Sequence, residues 1–308
     1  MGLSLRVSCV SALVLAACAR PQSPSPRAGD WTALERAIEA RAAQEPGTIA
    51  VSVVDLRSGG RLGIRDTMTM HAASTMKVPV LIELFRQAER GRFRLDDSLA
   101  VRNDFRSIAD GSRYTLDAGD DSDSLVYAWV GTRRPIRELA RHMIVRSSNL
   151  ATNLLIELVT PDSVRRTVHA IGADGMHVLR GVEDMPAFRA GMNNTTTADG
   201  LARSLESIAR CTLTSARACA AMVDILAGQE FNTMIPAGLP PGTKIAHKTG
   251  WLTGFQHDGA IVYPAGRPPY ILVVLTRGIA DTTRAARAGA DISRLVWGAL
   301  VGGGVPRS

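Results

Sequence analysis

The chain has 308 residues, 45% hydrophobic and 21% charged, which suits a folded chain with a sizeable core and not a disordered one. Its net charge is +7, but the arginines are spread along the whole chain with no basic cluster interleaved with aromatics, so no nucleic-acid partner is expected. No uncharged apolar run reaches the roughly 18–20 residues of a spanning helix, four cysteines exclude a disulfide scaffold, and no period of about 20–50 residues marks a repeat protein.

The first 17 residues read as an export signal, with a basic start at Arg6 and an apolar stretch over 7–17 that ends in small residues. Leu15-Ala16-Ala17-Cys18 resembles the bacterial lipobox, which implies cleavage before Cys18 and a lipid on its sulfur. Residues 18–30, rich in proline and serine, then form a lipidated tether. The expected location is the periplasmic side of a bacterial membrane. Export exposes Cys211 and Cys219 to an oxidising compartment. They lie eight positions apart, and both a loop disulfide and two free thiols stay open.

Residues 31–308 read as a single domain. Asp30 caps a helix whose apolar face is Trp31, Leu34, Ile38 and Ala42. A β-rich run over 48–56, a turn at 57–60 and a returning strand over 61–65 follow. A helix is predicted from about 75 to 90, stopped by Gly91. Helical patterns recur over 136–145, 150–159, from Thr160-Pro161 onward, over 197–210 and over 216–227. Strands return over 243–249, 256–263 and 270–276, and a last helix covers about 282–301. The α/β part is therefore about 31–70 with 228–308, and the helical part about 71–227.

Three short motifs carry chemistry. In Ser74-Thr75-Met76-Lys77 the serine opens a helix and the lysine is three positions on, so the two are neighbours on one face. A lysine that has lost its proton can take the serine's and make it a nucleophile. Only three of the 36 basic residues are lysine, so a retained lysine suggests a role that a permanently charged guanidinium cannot fill. In Ser147-Ser148-Asn149, alternate residues of an extended turn put Ser147 and Asn149 toward one cleft and Ser148 inward. Lys248-Thr249-Gly250 ends a strand; its cation and hydroxyl suit a carboxylate, and the glycine lets a ligand's backbone lie close.

In that order the motifs resemble those of the penicillin-recognising serine hydrolases, closest to class A β-lactamases, over about 31–301. Arg137-Glu138-Leu139, Asn153-Leu154-Leu155 and Thr195-Thr196-Thr197 extend the likeness. The resemblance implies an α/β (α+β) fold, with an antiparallel five-stranded sheet flanked by terminal helices and an all-helical subdomain. It implies Ser74 as the acylated nucleophile, Lys77 as its base or proton shuttle, Ser147 as proton relay and Asn149 as holder of the acyl side chain. Lys248 and Thr249 would bind a carboxylate, and the backbone N–H groups of Ser74 and Trp251 would form the oxyanion hole.

The likeness departs in three places. Ser148 stands where an aspartate is usual. Residues 180–194 lack the E-x-x-L-N pattern; Glu183 is the first candidate to activate a deacylating water, with Lys77 near enough to keep it ionised or share its proton, and Asp184 is the second. The strand after Lys248-Thr249-Gly250 carries Gln256-His257-Asp258 in place of an arginine. No metal motif occurs, and neither metal nor cofactor is expected. The expected function is hydrolysis of a β-lactam, a small-molecule substrate, by a monomer anchored through Cys18. A cell-wall D-peptidase or esterase is the first alternative, and a wall-peptide-binding protein with negligible turnover is the second.

Overall fold

A computed structural model describes residues 31–302. Strands β1 (Thr48–Asp55), β2 (Arg61–Ile64), β3 (Lys244–Leu252), β4 (Phe255–Tyr263) and β5 (Tyr270–Arg277) form one antiparallel sheet in the order β2-β1-β5-β4-β3. The two ends of the chain thus build one sheet, as the sequence pattern implied, and β3 lies at its edge. The helices are α1 (Trp31–Ala42), α2 (Lys77–Glu89), α3 (Ile136–Val145), α4 (Asn149–Val159), α5 (Pro161–Ala170), α6 (Met185–Arg189), α7 (Ala198–Arg210), α8 (Ala216–Ala227) and α9 (Thr282–Val301).

Alternation along the strands makes two cores. Ile49, Val51 and Val53 of β1 pack with Leu272 and Val274 of β5 beneath α1 and α9. Ala50 and Val54, with Ile271, Val273 and Leu275, face the helical part. There α2 is buried along most of its length, because apolar residues fill every position of 78–85 except Glu83. The predicted apolar face of α1 holds: Leu34, Ile38 and Ala42 are buried.

Some boundaries differ from the sequence reading. The helix predicted from 75 starts as a tight 3-10 turn, Ala73–Met76, and becomes α-helical only at Lys77. The strand predicted to end at 249 continues to Leu252, so Gly250 and Trp251 belong to it. Three two-stranded pairs were not foreseen, including Met70–His71 with Thr195–Thr196, because strands of two or three residues carry no periodicity. Cys211 and Cys219 are free thiols. Burial, and then the hydrogen bond with Cys219, pushes the Cys211 thiol up to about 11.

Candidate active site

The 3-10 turn presents Ser74 to a cleft of about 280 Å³ between the edge of the sheet and the helical part. Ala73, just before it, holds a left-handed backbone with φ 46°, and its N–H donates to His71 Nδ1 at 3.0 Å. Thr75 is buried and its hydroxyl donates to Ala72 O at 2.6 Å. Among the described residues the Ser74 hydroxyl has no hydrogen-bond partner. Strand β3 runs directly behind this turn. A Cβ on Gly250 would stand 3.0 Å from Ser74 N and 3.1 Å from Thr75 N. The sequence reading reserved that space for a ligand's backbone; the protein's own nucleophile turn fills it, and that close approach is what requires glycine.

Lys77, the first residue of α2, is fully buried. Its Nζ donates to Ser147 O at 2.6 Å, Asn149 Oδ1 at 2.9 Å and Ser147 Oγ at 3.2 Å. Burial lowers its pKa to about 7, against the pull of the Asp121 and Glu183 carboxylates. Lys248 is also fully buried; its Nζ donates to Thr249 O at 2.8 Å and Ser147 Oγ at 3.1 Å. Its pKa is pushed well down by burial and then by the Lys77 charge. Ser147, at φ 61°, thus sits between two amines.

Asn149 opens α4 and links Lys77 to the facing loop, since its Nδ2 donates to Glu183 Oε1 at 2.8 Å. One Asn149 N–H is left for the cleft. Glu183 sits at φ 62° on the cleft wall, and its carboxyl is raised by burial and by the negative Asp121. The nearness of Lys77 to Glu183 expected from the sequence is a link through Asn149, with no hydrogen bond between the two among the described residues. Asp184 is buried and structural: it accepts from Ala187 N at 3.1 Å as the cap of α6, and from Ile108 N at 3.0 Å. The neck of the loop is closed by Asn194, whose Oδ1 accepts from Leu179 N and Arg180 N and whose Nδ2 donates to Arg180 O. The Arg180 guanidinium is spent on Met192 O, Gly181 O and Asn193 Oδ1.

Sequence reasoning missed Asp121. Ser148 points inward and caps α4 through Ala151 N at 3.2 Å. The carboxylate that its position lacks comes from Asp121, 27 residues earlier, which accepts from Asn149 N at 2.8 Å, Leu150 N at 3.1 Å and Ser148 Oγ at 3.4 Å. Nearby Asp123 is fully buried and accepts from His142, with Arg146 at 3.5 Å. The run of aspartates at 117, 120, 121 and 123 was the available signal, but an acidic run more often marks a solvated loop.

His257 faces the core. Its Nε2 donates to His71 O at 2.9 Å and its Nδ1 accepts from Thr276 N at 3.2 Å, so the ring is neutral, and burial lowers its pKa to about 4. On that side of the cleft the basic side chain is Lys248, beside the half-buried Thr249. Trp251 is 63% exposed on the rim, opposite Met185 and Phe188 of α6.

The chain matches the family described as the beta-lactamase enzyme family over residues 33–300. It is 27% identical to beta-lactamase L2 of Stenotrophomonas maltophilia over 279 residues, 87% of this chain and 84% of that one. It is 25% identical to the carbapenem-hydrolyzing beta-lactamase KPC of Klebsiella oxytoca, over 75% of this chain and 76% of the other. Among solved structures, a beta-lactamase of Sphaerobacter thermophilus is 26% identical with a TM-score of 0.75, covering 87% of this chain and 97% of that one. PBP-A is 25% identical with a TM-score of 0.75, covering 89% and 97%.

Proposed function

This chain belongs to the beta-lactamase enzyme family, and we propose that it opens β-lactams through an acyl-enzyme on Ser74. The carrying observation is a buried Lys77 held on Ser147 and Asn149, one turn from a serine hydroxyl that faces the cleft. With its pKa near 7, the amine is substantially unprotonated at neutral pH and can accept the Ser74 proton as Oγ attacks the lactam carbonyl. The negative oxygen that develops is met by the N–H groups of Ser74 and Trp251. Ser147 Oγ, between Lys77 and Lys248, passes a proton to the leaving nitrogen. Lys248 and Thr249 hold the carboxylate, and the free Asn149 N–H meets the acyl side chain. Glu183 then takes a proton from the water that attacks the ester, freeing Ser74.

A second reading, a cell-wall D-peptidase of the same fold, is favoured by one observation. The fourth residue after Glu183 is Ala187, buried, where the E-x-x-L-N pattern has an amide, so Glu183 lacks that second group to hold the water. Intact-protein mass spectrometry with benzylpenicillin, followed over time, decides. A transient adduct supports hydrolysis, a long-lived one the peptidase, and Ser74→Ala should give none. An adduct on folded Ser74→Ala protein overturns both readings.

The same proposal places the protein outside the cytoplasm, periplasmic, with a signal peptide cut before a lipidated Cys18; those residues lie outside the described ones. Cys18→Ser should move it from the membrane to the soluble fraction of the native host. It also takes the chain as a monomer, because exposed Met185, Phe188 and Trp251 line the cleft mouth rather than a flat face. Sedimentation velocity checks that state.

A further inference from the structure

We propose a second binding site, for a phosphate-type oxyanion, at the end of α2 opposite to the one that follows Ser74. A cavity of about 410 Å³ lies between the end of α2 and the start of α5. Four guanidinium groups line it: Arg86, Arg90, Arg92 and Arg166. One carboxylate, Glu83, forms part of its wall. The site is thus three positive charges in excess.

The chain builds this cluster deliberately in local terms. Helix α2 ends at Glu89, and Gly91 takes φ 73°, which turns the backbone so that Arg92 N donates to Gln87 O at 3.1 Å. That closing turn brings Arg92 back beside Arg86 and Arg90. From the other side, α5 supplies Arg166, whose Nη2 donates to Ser163 Oγ at 2.9 Å.

The counter-charges do not balance. Glu83 is buried and already accepts from Gln87 Nε2 at 2.8 Å and from the Thr167 hydroxyl; Arg86 Nη1 stands 3.5 Å from it and bonds Thr167. Arg86 Nε is buried with no hydrogen-bond partner. Arg90, Arg92 and Arg166 have no carboxylate within 4.0 Å among the described residues, whereas the neighbouring Arg165 is paired with Asp162. Burial and then the Arg90 charge depress the Arg86 pKa, against the pull of Glu83, so this one carboxylate does not offset the crowding. Guanidinium groups from α5 and from the end of α2 match the several acceptor oxygens and the charge of a phosphate. Helix-end arginines alone would answer the α2 dipole, but that role does not need Arg92, Arg166 or a cavity.

Phosphate could come free in solution or as a lipid headgroup, and two probes separate these sources. Isothermal titration of the full chain with inorganic phosphate, at ionic strength matched with chloride, should show saturable binding. Each arginine removed should weaken it on the order of tenfold. Arg90 and Arg166 are exposed, so Arg90→Gln and the double change Arg90→Gln with Arg166→Gln should fold, as circular dichroism would check. Equal binding of glycerophosphoglycerol, a soluble phosphodiester headgroup, assigns the site to a lipid; binding of phosphate alone assigns it to the free ion. Absence of saturable phosphate binding in the wild type, or unchanged binding in both folded variants, overturns the site.

Discussion

Lys77 and Lys248 share one hydroxyl: their Nζ atoms stand 3.2 and 3.1 Å from Ser147 Oγ. Two ammonium groups this close in a buried site oppose each other's charge, and burial opposes both. Lys77 must be neutral to accept the Ser74 proton. Its folded pKa of about 7 means that the useful form is present above that pH and is lost as pH falls through it. Acylation measured by stopped flow should therefore plateau above about pH 8 and fall about tenfold per unit below pH 6. An acylation rate flat down to about pH 5 would show that Lys77 is not the base. Lys77→Arg should acylate at a negligible rate, because arginine keeps its proton.

Glu183 and Asp184 are adjacent, yet their tasks separate. Glu183→Gln keeps the bond with Asn149 within reach and removes the base. Acylation should continue while release of the acyl group slows by roughly 10²–10⁴-fold. Asp184→Asn removes a buried carboxylate that caps α6 and binds Ile108 N. It should lower stability by about 1–3 kcal/mol, seen in urea melts, with a smaller change in release. Because burial and Asp121 raise the Glu183 pKa, deacylation should lose rate on acidification at a higher pH than an ordinary glutamate would give. Wild-type release from Glu183→Gln would remove Glu183 from the mechanism.

Asp121 holds up the turn that carries Ser147 and Asn149. Asp121→Asn should cost about 1–3 kcal/mol of stability and slow acylation, since the turn's two backbone donors lose a charged acceptor. Ser148→Asp in the wild type sets two carboxylates together and should destabilise. In the Asp121→Asn background the same change should recover part of the loss. A double-mutant cycle reads this coupling directly. Additive effects would mean that the two positions do not serve one support.

Gly250→Ala tests the contact between β3 and the nucleophile turn. The added methyl would press on Ser74 N at 3.0 Å, and backbone there can yield only by moving the hydroxyl. Acylation should fall by about 10–100-fold, the scale set by displacing a reacting group by up to 1 Å. The melting temperature should change little. A normal acylation rate would show that the turn has slack.

The sheet and its terminal helices were legible because long alternating runs and an amphipathic α1 leave strong periodic signals. The three motifs were legible because each packs its chemistry into three or four consecutive residues. Asp121 was not, since its partners lie 27–29 positions away and only the fold brings them together. The roles of Glu183 and Asp184 were equally hidden. Two neighbouring acids look alike in sequence, and their partners tell them apart: Asn149 for Glu183, and the N–H groups of Ala187 and Ile108 for Asp184. Likewise His257 lies on the strand where an arginine is usual, and its two backbone hydrogen bonds turn it into the core.

Ala73, Ser147 and Glu183 are three of six non-glycine residues with left-handed backbone among the described ones; Ala73 and Glu183 line the cleft, and Ser147 lies buried beside it between Lys77 and Lys248. Each holds a conformation that costs an L-residue about 1–2 kcal/mol. Glycine would release that strain, but at 147 and 183 it would also delete the hydroxyl or the carboxylate. A library screened only for survival of heat would therefore favour sequences that have lost one of these side chains. Heat tolerance and turnover have to be scored on the same clone for any hardened version of this protein to remain an enzyme.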